Sequence, residues 1–105
     1  MIISFDKEYL RDLYETGKTA DKKYRFQPEV VRKYRRCIDI LFDASGIETL
    51  YAMNALNYEV LKGDKKGISS IRVNKQYRIE FTISDNGVEP VATICNILEL
   101  SNHYK

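Results

Sequence analysis

One histidine stands close to the end of the sequence, and a cluster of basic residues precedes it in the second half of the chain. The histidine is His103, and Tyr104 follows it directly. An imidazole titrates near neutral pH, so it can donate or accept a proton in catalysis. The basic cluster contains a single acid, Asp64, among its cations Lys62, Lys65, Lys66, Arg72, Lys75 and Arg78. Guanidinium groups bind phosphate with planar, bidentate geometry, so these residue types suit chemistry at a phosphate ester.

Cleavage of RNA by its own 2′-hydroxyl is a reaction that these side chains could perform. It needs a base for the hydroxyl proton, a cation for the charge that builds on the phosphate, and an acid for the leaving 5′-oxygen. His103 is a candidate acid or base, and Asp64 or Lys62 could supply the other proton-transfer group. Charge stabilisation at the phosphate is predicted for three cations, Lys62, Arg72 and Arg78.

Each of these assignments has a simpler alternative. A histidine beside a C-terminus is usually only solvated. Tyr104 could stack on a base or hold a phosphate oxygen, but it could also pack against the end of the chain. The basic cluster could likewise be an ordinary solvated surface. The hypothesis of a site therefore depends on whether the fold brings these residues together.

The apolar residues in the last third of the chain have a period of two, which predicts β-strands. Residues directly opposite each other on paired strands share a face. A three-residue turn at 74–76 pairs Ile71 with Ile79 and sets Arg72 opposite Arg78, whereas a two-residue turn mixes apolar and charged residues on both faces. We therefore predict that the two arginines share an open sheet face. Like charges placed directly opposite are destabilising, which favours a phosphate between them.

The next hairpin decides what else lies on the arginine face. Asn86-Gly87 has the composition of a two-residue turn, which would place Cys95 opposite Arg78 in a final strand over 91–98. If that strand keeps its alternation to the chain end, the arginine side also receives Ile97, Glu99, Ser101 and His103. The His103 imidazole would then lie on the same face as the two arginines. The alternative is a merely polar face on which Glu80 neutralises Arg72.

The first part of the chain predicts one strand and two helices. Residues 1–5 are an apolar run typical of a strand, and Asp6 is placed to cap a short helix that ends at Gly17. A longer helix begins at Pro28 and is closed by Gly46. Its apolar residues fall on one face and are predicted to be core: Val31, Tyr34, Ile38 and Leu41.

The middle of the chain gives weaker signals, with one more helical turn predicted at 47–53 and a short strand at 58–62. A chain of 105 residues is long enough for one hydrophobic core and too short for two, so we predict a single domain over residues 1–105. The predicted fold class is α+β, with an N-terminal strand and two helices packed on a small twisted antiparallel sheet.

Composition argues against several classes of site. No apolar run is long enough to span a membrane and the N-terminus lacks signal-peptide features, so we expect a cytoplasmic protein without a membrane partner. Cys37 and Cys95 lie far apart and only one histidine is present, so no disulfide, metal site or cofactor is predicted. The net charge is only +2, but basic and acidic residues are segregated, as a polyanion-binding face requires.

The second half of the chain resembles the signature of HigB-type toxins in the RelE/ParE superfamily. The resemblance rests on Leu61-Lys62-Gly63-Asp64-Lys65-Lys66-Gly67 and on Ser70-Ile71-Arg72-Val73-Asn74-Lys75-Gln76-Tyr77-Arg78-Ile79-Glu80-Phe81. The ending Asn102-His103-Tyr104 is similar to the His-Tyr ending of YoeB-like toxins, whereas many HigB proteins end in an Asp-Tyr-His-like sequence. This departure leaves the two proton-transfer roles open between candidate groups.

The resemblance implies an endoribonuclease that cuts messenger RNA in the ribosomal A site without a metal. Lys62, Arg78, His103 and Tyr104 match catalytic positions of the family, and Asp64 resembles a base with His103 as the acid. Side chains predicted to bind RNA or its phosphates are Lys65, Lys66, Arg72, Lys75 and Asn102.

The resemblance also implies a HigA-like antitoxin as partner, besides the ribosome and mRNA, and a toxin that is monomeric alone. Two alternatives remain open: a ParE-like toxin that binds gyrase without chemistry, and an inactive RNA-binding module. ParE-like proteins generally lack the catalytic ending, so Asn102-His103-Tyr104 favours the nuclease.

Overall fold

The computed structural model describes residues 1–102 and places a sheet beside a pair of helices. The strands are β1 (Ile2–Phe5), β2 (Glu59–Val60), β3 (Ser69–Arg72), β4 (Arg78–Asp85) and β5 (Thr93–Ser101). The helices are α1 (Glu8–Thr16), α2 (Pro28–Asp43) and α3 (Ile47–Ala52), with short 3₁₀ turns at Lys22–Tyr24, Asn54–Leu56 and Gly63–Lys65. The α+β class and the additional helical turn are confirmed, and β2 lies within the predicted strand at 58–62.

The sheet has the strand order β1-β5-β4-β3-β2 over the described residues. β1 pairs in parallel with β5, whereas the other neighbours are antiparallel. The prediction of an antiparallel sheet is therefore wrong at β1. Alternating polarity reports which face of a strand is buried but carries no information on the direction of its neighbour.

The helix boundaries follow the predicted signals at two of four ends. α1 ends at Gly17, whose φ of 77° is left-handed and whose N–H donates to the carbonyl of Leu13. α2 begins at Pro28. Asp6 is not the cap of α1, because that position is taken by Lys7 and the Asp6 N–H donates to the Ile97 carbonyl of β5. α2 ends at Asp43, before the predicted Gly46.

The hydrophobic core lies between α1, α2 and one face of the sheet. The predicted stripe of α2 is confirmed, since its four residues are all buried. The hydroxyl of Tyr34 donates to the Leu10 carbonyl of α1 at 2.7 Å, so this buried polar group is satisfied. The sheet contributes Ile71, Ile79, Phe81, Cys95, Ile97 and Leu100 to this core.

The β3–β4 hairpin has the predicted register. Ile71 is paired with Ile79 and Arg72 with Arg78. The side-chain oxygen of Asn74 accepts hydrogen bonds from the backbone N–H groups of Gln76 and Tyr77, both at 2.8 Å. These bonds hold the three-residue turn that sets the two arginines opposite each other.

The predicted β4–β5 register is wrong. Arg78 lies opposite Ser101 instead of Cys95, and Asn86 closes a longer connection by donating its N–H to the Ala92 carbonyl. The two-residue turn would put Pro90 within the ladder, and proline has no N–H to donate there. Pro90 instead lies in the connection.

A register shift between Glu80 and Phe81 changes which residues of β5 share the arginine face. Phe81 is opposite Ile97, and both are fully buried in the core, so the prediction that placed Ile97 beside the arginines is wrong. After the shift, Glu99 is opposite Glu80. Glu99 and Ser101 therefore lie on the arginine face as predicted, because a bulge moves one side chain to the other face.

Candidate functional site

Arg78 occupies the centre of the arginine face at the first position of β4. Its neighbours across the sheet are Arg72 on β3 and Ser101 on β5. Arg78 is only 6% exposed. Its Nε donates to the Ser70 hydroxyl at 2.9 Å, and one terminal nitrogen donates to the Asn57 carbonyl. The face is therefore covered at Arg78 and not open as predicted.

The cover over Arg78 comes from the chain that leads from α3 towards β3. Asn57 adopts a left-handed conformation with φ of 46°, which a short polar side chain tolerates better than a branched one. This turn directs the Asn57 carbonyl at the guanidinium. Fixed partners on a planar donor set hold the charge of Arg78 in one place and orientation.

An ion pair between Lys65 and Glu80 lies beside the arginine. The Lys65 Nζ is 2.7 Å from a Glu80 carboxylate oxygen, and the Glu80 side chain is 4% exposed against 39% for Lys65. Glu80 stands opposite Ser70 on β3. Among the described residues, Glu80 therefore forms its salt bridge with Lys65. The alternative of a merely polar face had Glu80 neutralise Arg72 instead.

The loop at 62–67, which we call the lysine loop, is a tight turn tied to the sheet. The Leu61 N–H donates to the Ile68 carbonyl at 2.8 Å, and the Lys66 N–H donates to the Gly63 carbonyl at 3.1 Å. Gly63 and Gly67 have φ values of 67° and 89°, which favour glycine. Lys62, Asp64 and Lys66 are exposed, so this rigid turn presents two cations and a carboxylate to solvent.

The other predicted residues lie at two further positions. Arg72 and Lys75 are exposed at the end of the β3–β4 hairpin, where the Arg72 Nε donates to the Asn74 carbonyl at 3.2 Å. Asn102 is exposed and directly follows Ser101, the β5 partner of Arg78. His103 and Tyr104 lie outside the described residues.

Two residues that hold this site, Asn57 and Ser70, had no predicted role, and Glu80 was predicted only as a neutralising partner of Arg72. Ser70 could have been found, because the predicted hairpin register places it opposite Glu80 on the arginine face. Asn57 contributes a backbone carbonyl, which has no signature in the sequence.

The two cysteine thiols of the core remain protonated at neutral pH. Burial raises the pKa of the Cys37 thiol to about 11 and that of the Cys95 thiol to about 12. Both cysteines are therefore protonated and are poor nucleophiles. Within residues 1–102 no three histidine, cysteine or acidic side chains form a group that could hold a metal ion. Over the same part of the chain, no helix is long and apolar enough to cross a membrane.

Comparisons with known proteins agree with this architecture. The profile of the HigB-like toxins, described as RelE-like toxins of the type II toxin-antitoxin system HigB, matches residues 3–92. Toxin HigB-1 of Vibrio cholerae serotype O1 is 35% identical over 82 residues, which are 77% of this chain and 82% of that protein. The profile match includes the lysine loop and the β3–β4 hairpin, and it ends before β5.

Solved structures with the same fold include two toxins. A YoeB/ParE toxin from Agrobacterium tumefaciens aligns with a TM-score of 0.61 at 18% identity, covering 99% of this chain and 100% of that one. YoeB in a YoeB-YefM complex from Staphylococcus aureus aligns with a TM-score of 0.58 at 19% identity, covering 99% and 98%. These alignments confirm the predicted fold.

Proposed function

The chain belongs to the HigB-like family of RelE-like toxins of type II toxin-antitoxin systems, and on that premise we propose that it is a ribosome-dependent endoribonuclease that cleaves translated mRNA. The observation that carries the proposal is the buried Arg78, a guanidinium fixed beside an exposed lysine loop. A preorganised cation of this kind stabilises charge that develops on a phosphate without reorganising during the reaction.

The proposed reaction is attack of the 2′-hydroxyl oxygen on the adjacent phosphorus. The new O2′–P bond forms as the P–O5′ bond breaks, which leaves a 2′,3′-cyclic phosphate and a 5′-hydroxyl. Asp64 accepts the 2′-hydroxyl proton and His103 donates a proton to the leaving oxygen, with Lys62 as the alternative proton-transfer group. Arg78 and Lys62 stabilise the phosphorane charge. No metal takes part in these steps.

The position of β5 supports the assignment of His103. Ser101 stands directly opposite Arg78, and the only imidazole of the chain follows two residues later in the sequence. Tyr104 is proposed to contact a base or a phosphate oxygen in the same site. The flanking RNA is proposed to be bound by Lys66, Arg72, Lys75 and Asn102. Lys65 is proposed to bind RNA as well, in addition to forming its ion pair with Glu80.

We also propose the partners that such a toxin requires. The basic lysine loop offers an electrostatic target for a HigA-like antitoxin and for ribosomal RNA. The toxin alone is proposed to be a monomer in the cytoplasm. Size measurement of the purified toxin, with and without its antitoxin, tests both statements.

The experiment is brief induction in cells, followed by mapping of mRNA 5′ ends within translated codons. Lys62→Ala, Asp64→Asn and His103→Gln are each expected to reduce cleavage by about 10²-fold or more, as expected when general acid, base or charge stabilisation is removed. Arg11→Ala, an exposed cation on α1, is the control. Undiminished cleavage by all three variants would overturn the site assignment.

Reconstituted ribosomes test the proposed reaction. A 2′-deoxy nucleotide at the cleaved position of the mRNA should abolish cleavage, because the nucleophile is then missing. Continued cleavage that leaves a 5′-phosphate would instead indicate attack by water and overturn the proposed chemistry. Growth arrest with intact mRNA and broken DNA would favour the gyrase-binding alternative.

A further inference from the structure

A cleft of about 820 Å³ lies between the start of α2 and the β3–β4 hairpin. Two segments that are distant in the sequence line it. The segment before and within α2 contributes Arg25, Phe26 and Lys33, and the hairpin contributes Arg72, Lys75 and Tyr77. Basic residues from both segments therefore meet at one concave surface, which we call the aromatic-basic cleft.

The charges of the cleft favour an anionic ligand. Arg25, Lys33, Arg72 and Lys75 are all exposed. Glu29 is the acid among the lining residues, and it forms a solvent-exposed i,i+4 pair with Lys33 at 3.4 Å. Such a pair is weak and leaves the surplus of positive charge intact. The amino end of α2 adds partial positive charge at the same place.

Two aromatic residues, Phe26 and Tyr77, line the cleft. Phe26 and Tyr77 pack edge to face, with ring centroids 5.4 Å apart and an interplanar angle of 80°. Both residues are only partly buried, so each keeps some ring surface accessible. Aromatic faces next to cations suit the bases and phosphates of a nucleic acid whose bases are unstacked.

We propose that the aromatic-basic cleft binds single-stranded RNA, with phosphates on its cations and a base against the Phe26–Tyr77 pair. A duplex keeps its bases stacked inside the helix and could reach only the cations. The inference deepens the proposed function, because Arg72 is shared with the arginine face and the cleft would hold mRNA that flanks the cleaved phosphate. The cleft itself contains no proposed proton-transfer group.

Fluorescence anisotropy with a labelled 2′-O-methyl 12-mer tests the proposal, since this RNA binds without being cleaved. Arg25→Ala/Lys75→Ala should lower the slope of log affinity against log salt by about 1.4, from the loss of two phosphate contacts on a single strand. Phe26→Leu should weaken binding about fivefold or more at an unchanged salt slope, because a stacked base is lost but no charge.

Three controls make the test specific. Arg11→Ala removes a cation of α1 outside the cleft and should keep the affinity within twofold and the wild-type salt slope, apart from a small general electrostatic effect. An abasic strand should bind wild type and Phe26→Leu equally. A duplex of the same sequence should bind without dependence on Phe26. The proposal is overturned if Arg25→Ala/Lys75→Ala binds like Arg11→Ala, or if the effect of Phe26→Leu persists on the abasic strand.

The outcome separates this inference from the proposed function. If the cleft variants bind RNA normally while Lys62→Ala and Asp64→Asn lose mRNA cleavage, the RNA-binding role of the cleft is wrong and the proposed nuclease function stands. If the cleft variants lose RNA binding while the wild type never cleaves mRNA on ribosomes, the RNA-binding role of the cleft stands and the proposed nuclease function is wrong.

Discussion

Arg78 combines a buried position with a predicted role at a scissile phosphate. Its guanidinium satisfies the Ser70 hydroxyl and the Asn57 carbonyl, so the side chain links β3, β4 and the chain that precedes the lysine loop. A lysine carries the same charge but lacks the planar set of donors. Substitution by lysine therefore separates the effect of charge from that of geometry.

Arg78→Lys is expected to fold, to lose about 1 to 3 kcal/mol of stability and to cleave mRNA about 10²-fold more slowly. Stability loss follows from buried acceptors that lose a partner, and slower cleavage follows from a charge that is no longer fixed. Urea denaturation and single-turnover cleavage on ribosomes measure the two effects. Cleavage at the wild-type rate by Arg78→Lys would contradict a role for the planar donor geometry of the guanidinium.

Glu80→Gln distinguishes two roles of Lys65, which either contacts RNA directly or holds the lysine loop on the sheet. If Lys65 acts through its 2.7 Å pair with Glu80, then Glu80→Gln and Lys65→Met should reduce cleavage to a similar extent. Their double mutant should lose little more, with a coupling of about 1 kcal/mol in stability, since Lys65 is partly exposed. Loss of cleavage in Lys65→Met alone would assign Lys65 to RNA binding.

At the scale of elements, the β3–β4 hairpin could be predicted and the β4–β5 hairpin could not. The first follows from strict alternation around a short turn, which leaves one register with a consistent face. The second contains Asn86-Gly87, a strong local turn signal, but Pro90 and the bulge beside Glu80 override it. Burial of Arg78 depends on Asn57, and no local pattern predicts such a long-range contact.

Asn74 is expected to be the residue on which the β3–β4 turn depends most. Its side-chain oxygen accepts two backbone N–H groups, so Asn74→Ala should cost about 1 to 2 kcal/mol in unfolding free energy. The neighbouring Lys75→Ala is the matched control and should stay within about 0.5 kcal/mol of wild type. Urea denaturation measures both, and equal stability of the two variants would contradict the role of Asn74.

At the scale of the whole molecule, the two faces of the sheet have separate tasks. One face packs against α1 and α2 to form the core, which contains the protonated thiols of Cys37 and Cys95 and the buried Tyr9 and Tyr34. The other face carries the arginines and lies beside the lysine loop. The buried thiols and Tyr9 predict that the stability of the fold depends on pH in the alkaline range.

That alkaline dependence has a definite sign. Cys37 and Cys95 have folded pKa values of about 11 and 12 against an ordinary value of 9.0, and burial likewise raises the pKa of Tyr9 from 10.0 to about 12. Each group keeps its proton in the folded state at a pH where the unfolded chain has lost it. The unfolded state then binds fewer protons, so stability falls as pH rises.

The free energy of unfolding should therefore be flat with respect to these groups between pH 7 and 8, and should fall from pH 9 to 11. Urea denaturation across this range measures the fall, and Cys37→Ala/Cys95→Ala should make it shallower despite a lower stability at pH 7. An equally steep fall in that variant would show that the two thiols do not set the alkaline limit of the fold.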